Sequence, residues 1–550
     1  AGNNANSSLV YPGAYDNVIA VGSTNSSDKR SSFSNYGSYL SLFAPGENIL
    51  TTLPKEGSMN SQSGYAYMSG TSMSAPYVAG IAGLLLSYDN SFRVSQLWWF
   101  LEEGAEDIDS SEDVGEGRVN VFNSLNLLGD EPSTCGTCSE CQEQIDDASS
   151  GEKIIVMNDI INTTTSSCLD LSNKDSLIVD CRNNSIYGGD SGNAIDLSYA
   201  SNVEVKNCRI ENFRRGIYLF QAGNVELNNV NSRENSEGVS VLYSSNISIR
   251  DSVLEDNSAS DFYISPSDSE ENCDVDVNNV IGSSGLPIGF YDSQVNINEE
   301  DFSQLILCNA DNSIIEDVNI VGSDKYENNG FDMYLSDDVR VDGVNNTDNY
   351  GIRISRSSSS VLNSIYSEDN WHYGINIEYS DDIILNNSKS LSNLQPGVYL
   401  YNSDNIEVHN LSSKDNPVGI YLQYSSGIIL KNSKIENNFV SGMTLWDSGI
   451  SERVEVFNNF FNNSNNVNFN GDTNYAVFNT SLDCNEENIV GGVCVGGNYW
   501  SSFGTGFSDT CTDSDDDGFC DNSYDVSGSG KIDMLPLSSP DEISVDGNCS

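Results

Sequence analysis

A glycine returns every 22 or 23 residues along much of this chain. Gly238 follows Gly216 by 22 residues, and Gly351, Gly374, Gly397, Gly419 and Gly442 succeed one another at spacings of 23, 23, 22 and 23. A fixed period of this length means stacked units, each burying its apolar face against its neighbours. Within a unit, apolar and polar residues alternate: after Gly397 comes VYLYNSDNIEVHNL, with Val398 and Leu400 at the first and third positions. Alternation of this kind marks short strands with one buried face, while the Asn, Asp and Ser between them suit tight corners. Two or three short strands per period, with no helix, predict one coil of a right-handed parallel β-helix. Its inward residues stack as ladders such as Ile375, Val398 and Ile420. The array runs from 152 to 480, and its less regular stretch, 260–350, is expected to hold loops between coils. Tyr218, Tyr399 and Tyr421 at one outward position, and Tyr243, Tyr379 and Tyr424 at another, form aromatic stripes. Such rings either pack on one another along the solenoid or stack on sugars.

Charge narrows the partners. There are 24 Lys+Arg against 81 Asp+Glu, a net charge of −57. Nucleic-acid affinity comes from basic groups that neutralise phosphates, so this balance excludes nucleic acid and an anionic membrane surface alike. No apolar run reaches the roughly 18 residues that span a bilayer. The 13 cysteines include pairs close in sequence, Cys168/Cys181, Cys484/Cys494 and Cys511/Cys520, and Asn-x-Ser/Thr sequons recur, as at Asn246 and Asn386. Together they point to an exported, oxidising setting, with Cys549 the odd thiol. In the segment 129–151, Cys135, Cys138 and Cys141 lack the fourth ligand and the nearby histidine of a zinc site, so a disulfide-stapled linker is expected.

Residues 1–128 read differently. From Asn17 a strand pattern, NVIAVGST, precedes a polar loop and a second apolar run, YLSLFAPGENIL. A short strand, YAYMSG, leads into Ser72, which opens a helix of small residues from Ser74 to Leu86. Ala75, Ala79, Gly80 and Gly83 would let that helix pack closely on a sheet, and VSQLWWFLEEGAEDI forms a second helix. Gly70-Thr71-Ser72-Met73-Ser74-Ala75-Pro76 resembles the nucleophile motif of the subtilisin-like serine proteases. Ala1-Gly2-Asn3 resembles that family's oxyanion segment. Tyr11-Pro12 through NVIAVGST, the SFSNYG stretch from Ser32, APGENI from Ala44 and GEGRVNVFNSL from Gly115 follow in the family's order.

The resemblance implies a serine endopeptidase acting on polypeptides, with Ser72 as nucleophile. Asn3 and the Ser72 backbone N–H would stabilise the tetrahedral oxyanion. In this family the triad runs Asp, His, Ser, with Asp and His ahead of the oxyanion asparagine. The chain's two histidines, His372 and His409, stand far downstream in the repeats and are not expected to serve as the base. Residues 1–128 thus read as the C-terminal half of a catalytic domain, inactive without its partner residues.

Residues 481–550 read as a cap, which a solenoid needs to cover its last apolar rung. Asp513, Asp515, Asp517 and Asp521 place carboxylates at alternating positions around Gly518, as at the start of a calcium loop. An acidic surface loop is the plain alternative. GNYWS, the Asp-rich loop and DMLPL resemble the terminal cap of archaeal β-helix surface proteins. The repeats themselves resemble right-handed β-helices of surface proteins, a class with copper-binding-like and carbohydrate-active members. Copper finds no support, because His372 and His409 come without a Met or Cys cluster. The expected whole is a secreted or cell-surface multidomain protein: a partial α/β protease domain, an all-β right-handed parallel β-helix and a calcium-loop cap. Glycans are a further candidate partner of the β-helix. The rival reading is an adhesin or carbohydrate-binding β-helix with a vestigial protease segment.

Overall fold

The 22–23-residue period is the length of one coil. In a computed structural model, Ile375 pairs in parallel register with Val398 and Val398 with Ile420. The ladder extends from Ile352 to Met443 and Val467, every member buried. Each such side chain contributes about 2 kcal/mol by leaving water, so the ladders are the core of the solenoid. The structure describes residues 1–15, 18–37, 39–54, 64–92, 94–108, 114–128, 133–162, 166–323, 325–326, 328–447, 453–471 and 475–539. Asn17 and Cys549 lie outside them.

Two units form. One comprises residues 1–136 with 152–158, the other 137–151 with 159–550. The second is the solenoid. Its first coils build three parallel sheets, and a nine-stranded parallel sheet then runs from Ile288–Tyr291 to Val467–Gly471. Residues 260–350 continue the coils with uneven steps: Leu305 pairs with Phe331 and Phe331 with Ile352, 26 and 21 residues apart.

The corners differ from the expectation of simple turn residues. Their asparagines and serines are buried and stacked. The backbone N–H of Asn370 donates to Asn393 Oδ1 at 3.1 Å, Asn393 to Asn416 Oδ1 at 2.9 Å, and Asn416 to Asn438 Oδ1 at 3.1 Å. Ser357, Ser380 and Ser403 likewise donate their N–H groups to the hydroxyl of the serine one coil on, each at 3.1 Å. A turning backbone buries N–H groups that no strand partner reaches, and these side chains satisfy them. The periodic glycine has the same origin. A Cβ at Gly374 would lie 2.1 Å from Ser390 Oγ and 2.6 Å from Gly397 O.

Of the three close cysteine pairs in the sequence, Cys484/Cys494 and Cys511/Cys520 bond each other, whereas Cys168 and Cys181 bond across coils. Cys168 bonds Cys138 and Cys181 bonds Cys208, each with Cα atoms 4.8 Å apart. Cys273 bonds Cys308, while Cys484–Cys494 and Cys511–Cys520 pair locally. Cys135, Cys138 and Cys141 are all disulfide-bonded, and Cys138–Asp147 is a helix within the segment read as linker. At the far end Trp500 is buried against Phe461, their rings stacked at 4.8 Å. Its Nε1 donates to buried Asp533 at 2.9 Å; burial pushes that carboxyl up to about 6.

In the first unit, β1 (Val21–Thr24) pairs in parallel with β2 (Leu42–Pro45). β3 (Ile49–Thr52) and β4 (Tyr65–Met68) form an antiparallel pair. Helix α1 (Thr71–Tyr88) starts earlier and ends later than the sequence suggested. It buries Thr71, Ser74, Val78 and Leu85, and Val78 and Leu85 join Val21, Leu42 and Ala44 in the core with Phe100 and Leu101 of α2 (Val94–Glu103). Among the described residues, the small-residue face does not pack on a sheet. Ala75, Ala79, Gly80 and Gly83 are exposed, as are Tyr77, Leu84, Leu86 and Tyr88. Among the described residues no helix is long and apolar enough to cross a membrane.

Candidate active site

Two short segments far apart in sequence are tied together at the start of α1. Asn35 holds the first: its N–H donates to Gly2 O at 3.0 Å, its Oδ1 accepts from Asn4 N at 2.9 Å, and its Nδ2 donates to Ala1 O at 3.3 Å. Thr71 joins that segment to the helix. Gly2 N donates to Thr71 Oγ1 at 3.2 Å, and Thr71 N donates to Asn3 Oδ1 at 2.9 Å. With its Oδ1 thus engaged, the Asn3 amide presents Nδ2 as a donor. Gly70 is fixed by Gly70 N donating to Gly46 O at 2.8 Å.

Ser72 is exposed in the first turn of α1, where unpaired backbone N–H groups and the positive end of the helix dipole favour negative charge. The position of a Cβ on Gly70 is free of clashes but closely bordered. A Cβ built there would lie 3.4 Å from Asn3 Nδ2, 3.8 Å from Asn3 Oδ1 (itself engaged by Thr71 N) and 3.9 Å from Ser72 N, at φ +154°. Two N–H donors therefore border one vacant position beside an exposed hydroxyl, an arrangement suited to a developing oxyanion. Thr71 and Asn35, which hold Asn3, were not singled out as site residues, although both sit inside motifs that the sequence displays. The GEGRVN stretch acts at a distance from this site: Val119 N donates to Phe43 O at 2.9 Å, and Asn120 Oδ1 caps α3 (Val121–Asn126).

The two histidines belong to the solenoid unit. His372 stacks on Tyr350, with centroids 4.8 Å apart, and meets Tyr373 edge-on at 4.3 Å. Burial, then the Arg353 charge, lowers its pKa. His409 lies 3.0 Å from a Glu407 carboxylate oxygen.

Asp513, Asp515 and Asp517 bring carboxylate oxygens within 4.8 Å of one another. Asp521 is turned to Ser514, accepting its N–H at 3.1 Å and its Oγ at 2.6 Å. Asp513 Oδ2 accepts Gly518 N at 2.9 Å and Ser538 Oγ at 2.8 Å. The three converging groups are hard oxygen ligands of the kind calcium takes.

Comparison with known proteins fits this geometry. Residues 1–120 match the model of the Subtilase family, residues 145–302 that of the right handed beta helix region, and residues 303–505 that of the periplasmic copper-binding protein (NosD). Thermitase of Thermoactinomyces vulgaris is 42% identical over 126 residues, 23% of this chain and 42% of thermitase. A thermophilic serine proteinase of Bacillus sp. (strain AK1) is 40% identical over 127 residues, 23% of this chain and 29% of that protein. The halolysin-like extracellular serine protease Nep of Natrialba magadii is 41% identical over 122 residues, 22% of this chain and 21% of Nep. The chain spans less than half the length of each of these relatives. It thus joins a subtilisin-like segment to a right-handed parallel β-helix. The residues present do not fit copper: among the described residues, neither histidine belongs to a group of three converging His, Cys, Asp or Glu side chains.

Proposed function

We propose that this chain is part of an extracellular serine endopeptidase of the subtilase type, with Ser72 as the acylating nucleophile. The vacant position over Gly70, bordered by Asn3 Nδ2 and Ser72 N, carries the reading. Attack of Ser72 Oγ on a peptide carbonyl would place the oxyanion there, where the two donors bind it more strongly than the planar carbonyl oxygen. Residues 1–128 contain no histidine, so the base comes from elsewhere. The exposed apolar face of α1, with open space over Gly80 and Gly83, suits close packing of the rest of a subtilase domain bringing that base. The test uses the native full-length protein. A fluorophosphonate probe should label it, and Ser72→Ala should abolish the label. Equal labelling of the variant, or casein hydrolysis retained by full-length Ser72→Ala, ends this reading.

Asp513, Asp515 and Asp517 hold calcium in the same reading, with the Cys511–Cys520 disulfide closing the loop around them. A ligand present at about 100 times its Kd stabilises the folded state by about 2.7 kcal/mol. EGTA should therefore lower the thermal midpoint by several degrees, and Asp515→Ala should remove that response. A midpoint indifferent to EGTA and to added calcium leaves these carboxylates a solvated acidic loop.

A further inference from the structure

One outward row of the nine-stranded sheet reads, coil by coil, Asp332, Arg353, Asn376, Tyr399, Tyr421 and Thr444. Coils repeat at about 4.8 Å, so neighbouring rings in a row can touch. Tyr399 stands at the centre of an aromatic surface. Its ring centroid lies 4.5 Å from Tyr373, 5.4 Å from Tyr421 and 6.0 Å from Tyr401. His372, stacked on Tyr350, borders the same surface.

Beside the rings is a notch of about 30 Å³, lined by Tyr350, Arg353, His372, Tyr373 and Asn376 among others. Asn376 is only 7% exposed, and its Oδ1 is fully buried without a hydrogen-bond donor among the described residues. A buried acceptor left unpaired destabilises the fold. Among the described residues, Asn376 Oδ1 is the one fully buried side-chain polar atom lining this notch that folding leaves without a partner. Arg353 donates through Nε to Asp332 at 2.9 Å, and the rings of Tyr263, Tyr334 and Tyr350 surround its guanidinium. The notch is large enough for one hydroxyl or water.

We propose that this face binds a neutral oligosaccharide. One sugar hydroxyl enters the notch and donates to Asn376 Oδ1, and the adjoining pyranose rings lie against Tyr399 and Tyr421. Pyranoses combine an apolar C–H face, which suits an aromatic ring, with hydroxyls that serve as both donor and acceptor. A polyanion would meet the carboxylates of Asp332 and Glu378 on the same sheet, in a chain of net charge −57, and be repelled. An extended peptide binds best by adding to an open strand edge. These strands are paired on both sides, so the face offers side chains instead.

The test titrates the full chain with neutral hexasaccharides (malto-, cello-, laminari-, xylo-, manno- and chitohexaose) and with acidic polygalacturonate. Calorimetry and tryptophan fluorescence report binding, since Trp446 is 45% exposed on the neighbouring outward row. At least one neutral hexasaccharide should bind. Tyr399→Ala and Asn376→Leu should each weaken it at least tenfold. The urea midpoint of Asn376→Leu should hold or rise, because the substitution removes an unpaired acceptor. Binding to none of the neutral sugars, to polygalacturonate alone, or undiminished in both variants overturns the proposal. None of these outcomes depends on Ser72.

Discussion

If the proposed acylation at Ser72 holds, Gly70→Ala should cost the full-length protein about 10²–10³ in kcat, the scale of losing one oxyanion donor, or about 2.7–4 kcal/mol of transition-state stabilisation. The added methyl would occupy the position bordered by Asn3 Nδ2 at 3.4 Å and Ser72 N at 3.9 Å. Neither distance is a clash, so the methyl displaces the oxyanion and not the protein. The backbone contributes a second effect. Gly70 sits at φ +154°, which side-chain-bearing residues rarely adopt, and strain of this type costs about 1–3 kcal/mol. The two effects separate experimentally. Strain lowers the thermal midpoint, whereas filling the cradle lowers turnover of molecules that remain folded. Asn3→Ala removes one donor from the same oxyanion, so the double variant should lose far less than the product of the single losses. Turnover by Gly70→Ala at the parent rate, or strictly multiplicative losses, would show that the oxyanion forms elsewhere.

What the sequence exposes depends on how far apart the interacting residues lie. The glycine period and the alternation after it reveal the coil, because both repeat at the distance over which coils touch. The ladder from Ile375 through Val398 to Ile420 is read correctly for that reason. The corners are harder. Asn393 and Asn416 look like surface turn residues, yet each is buried by the coil stacked on it, a fact of stacking and not of local propensity. Cysteine proximity holds for Cys484/Cys494 and Cys511/Cys520 but misleads for one pair. Cys168 and Cys181 lie on different parts of the coil and bond residues 30 and 27 positions away. The motif around Ser72 is legible in the sequence, whereas the placing of Asn3 Nδ2 beside Gly70 exists only once Asn3 is folded against Thr71. The small face of α1 reads as a packing surface, but among the described residues it is exposed.

Asp261 illustrates the part that no local pattern reveals, and Asp261→Ala should destabilise the solenoid by about 3–5 kcal/mol, since it strands several buried donors that cost about 1–3 kcal/mol each before relaxation. It lies where the coil period falters, with partners drawn from three stretches of chain. Its Oδ1 accepts from Asn257 N at 3.2 Å, Asn257 Nδ2 at 3.0 Å and Asn328 Nδ2 at 3.2 Å. Its Oδ2 accepts from Ser283 N at 3.0 Å, Ser283 Oγ at 2.6 Å and Asn329 Nδ2 at 2.8 Å. Burial raises the carboxyl pKa while these bonds pull it down. The residue is wholly buried, so water cannot replace the lost acceptor without opening the coil. Alanine would strand several donors at once, and each buried orphan costs about 1–3 kcal/mol before relaxation. Asp261→Asn keeps one acceptor oxygen but turns an NH₂ group toward other donors, so its loss should fall between parent and alanine. The urea midpoint gives the size of the effect. Amide exchange gives its place: protection should drop first at Asn257, Ser283 and the strand Gly330–Tyr334, leaving the ladder around Val398 unchanged. A shift in stability below about 0.5 kcal/mol, the scale of an ordinary surface substitution, would mean that the asparagine amides find other acceptors and that this carboxylate is not what joins the irregular coils.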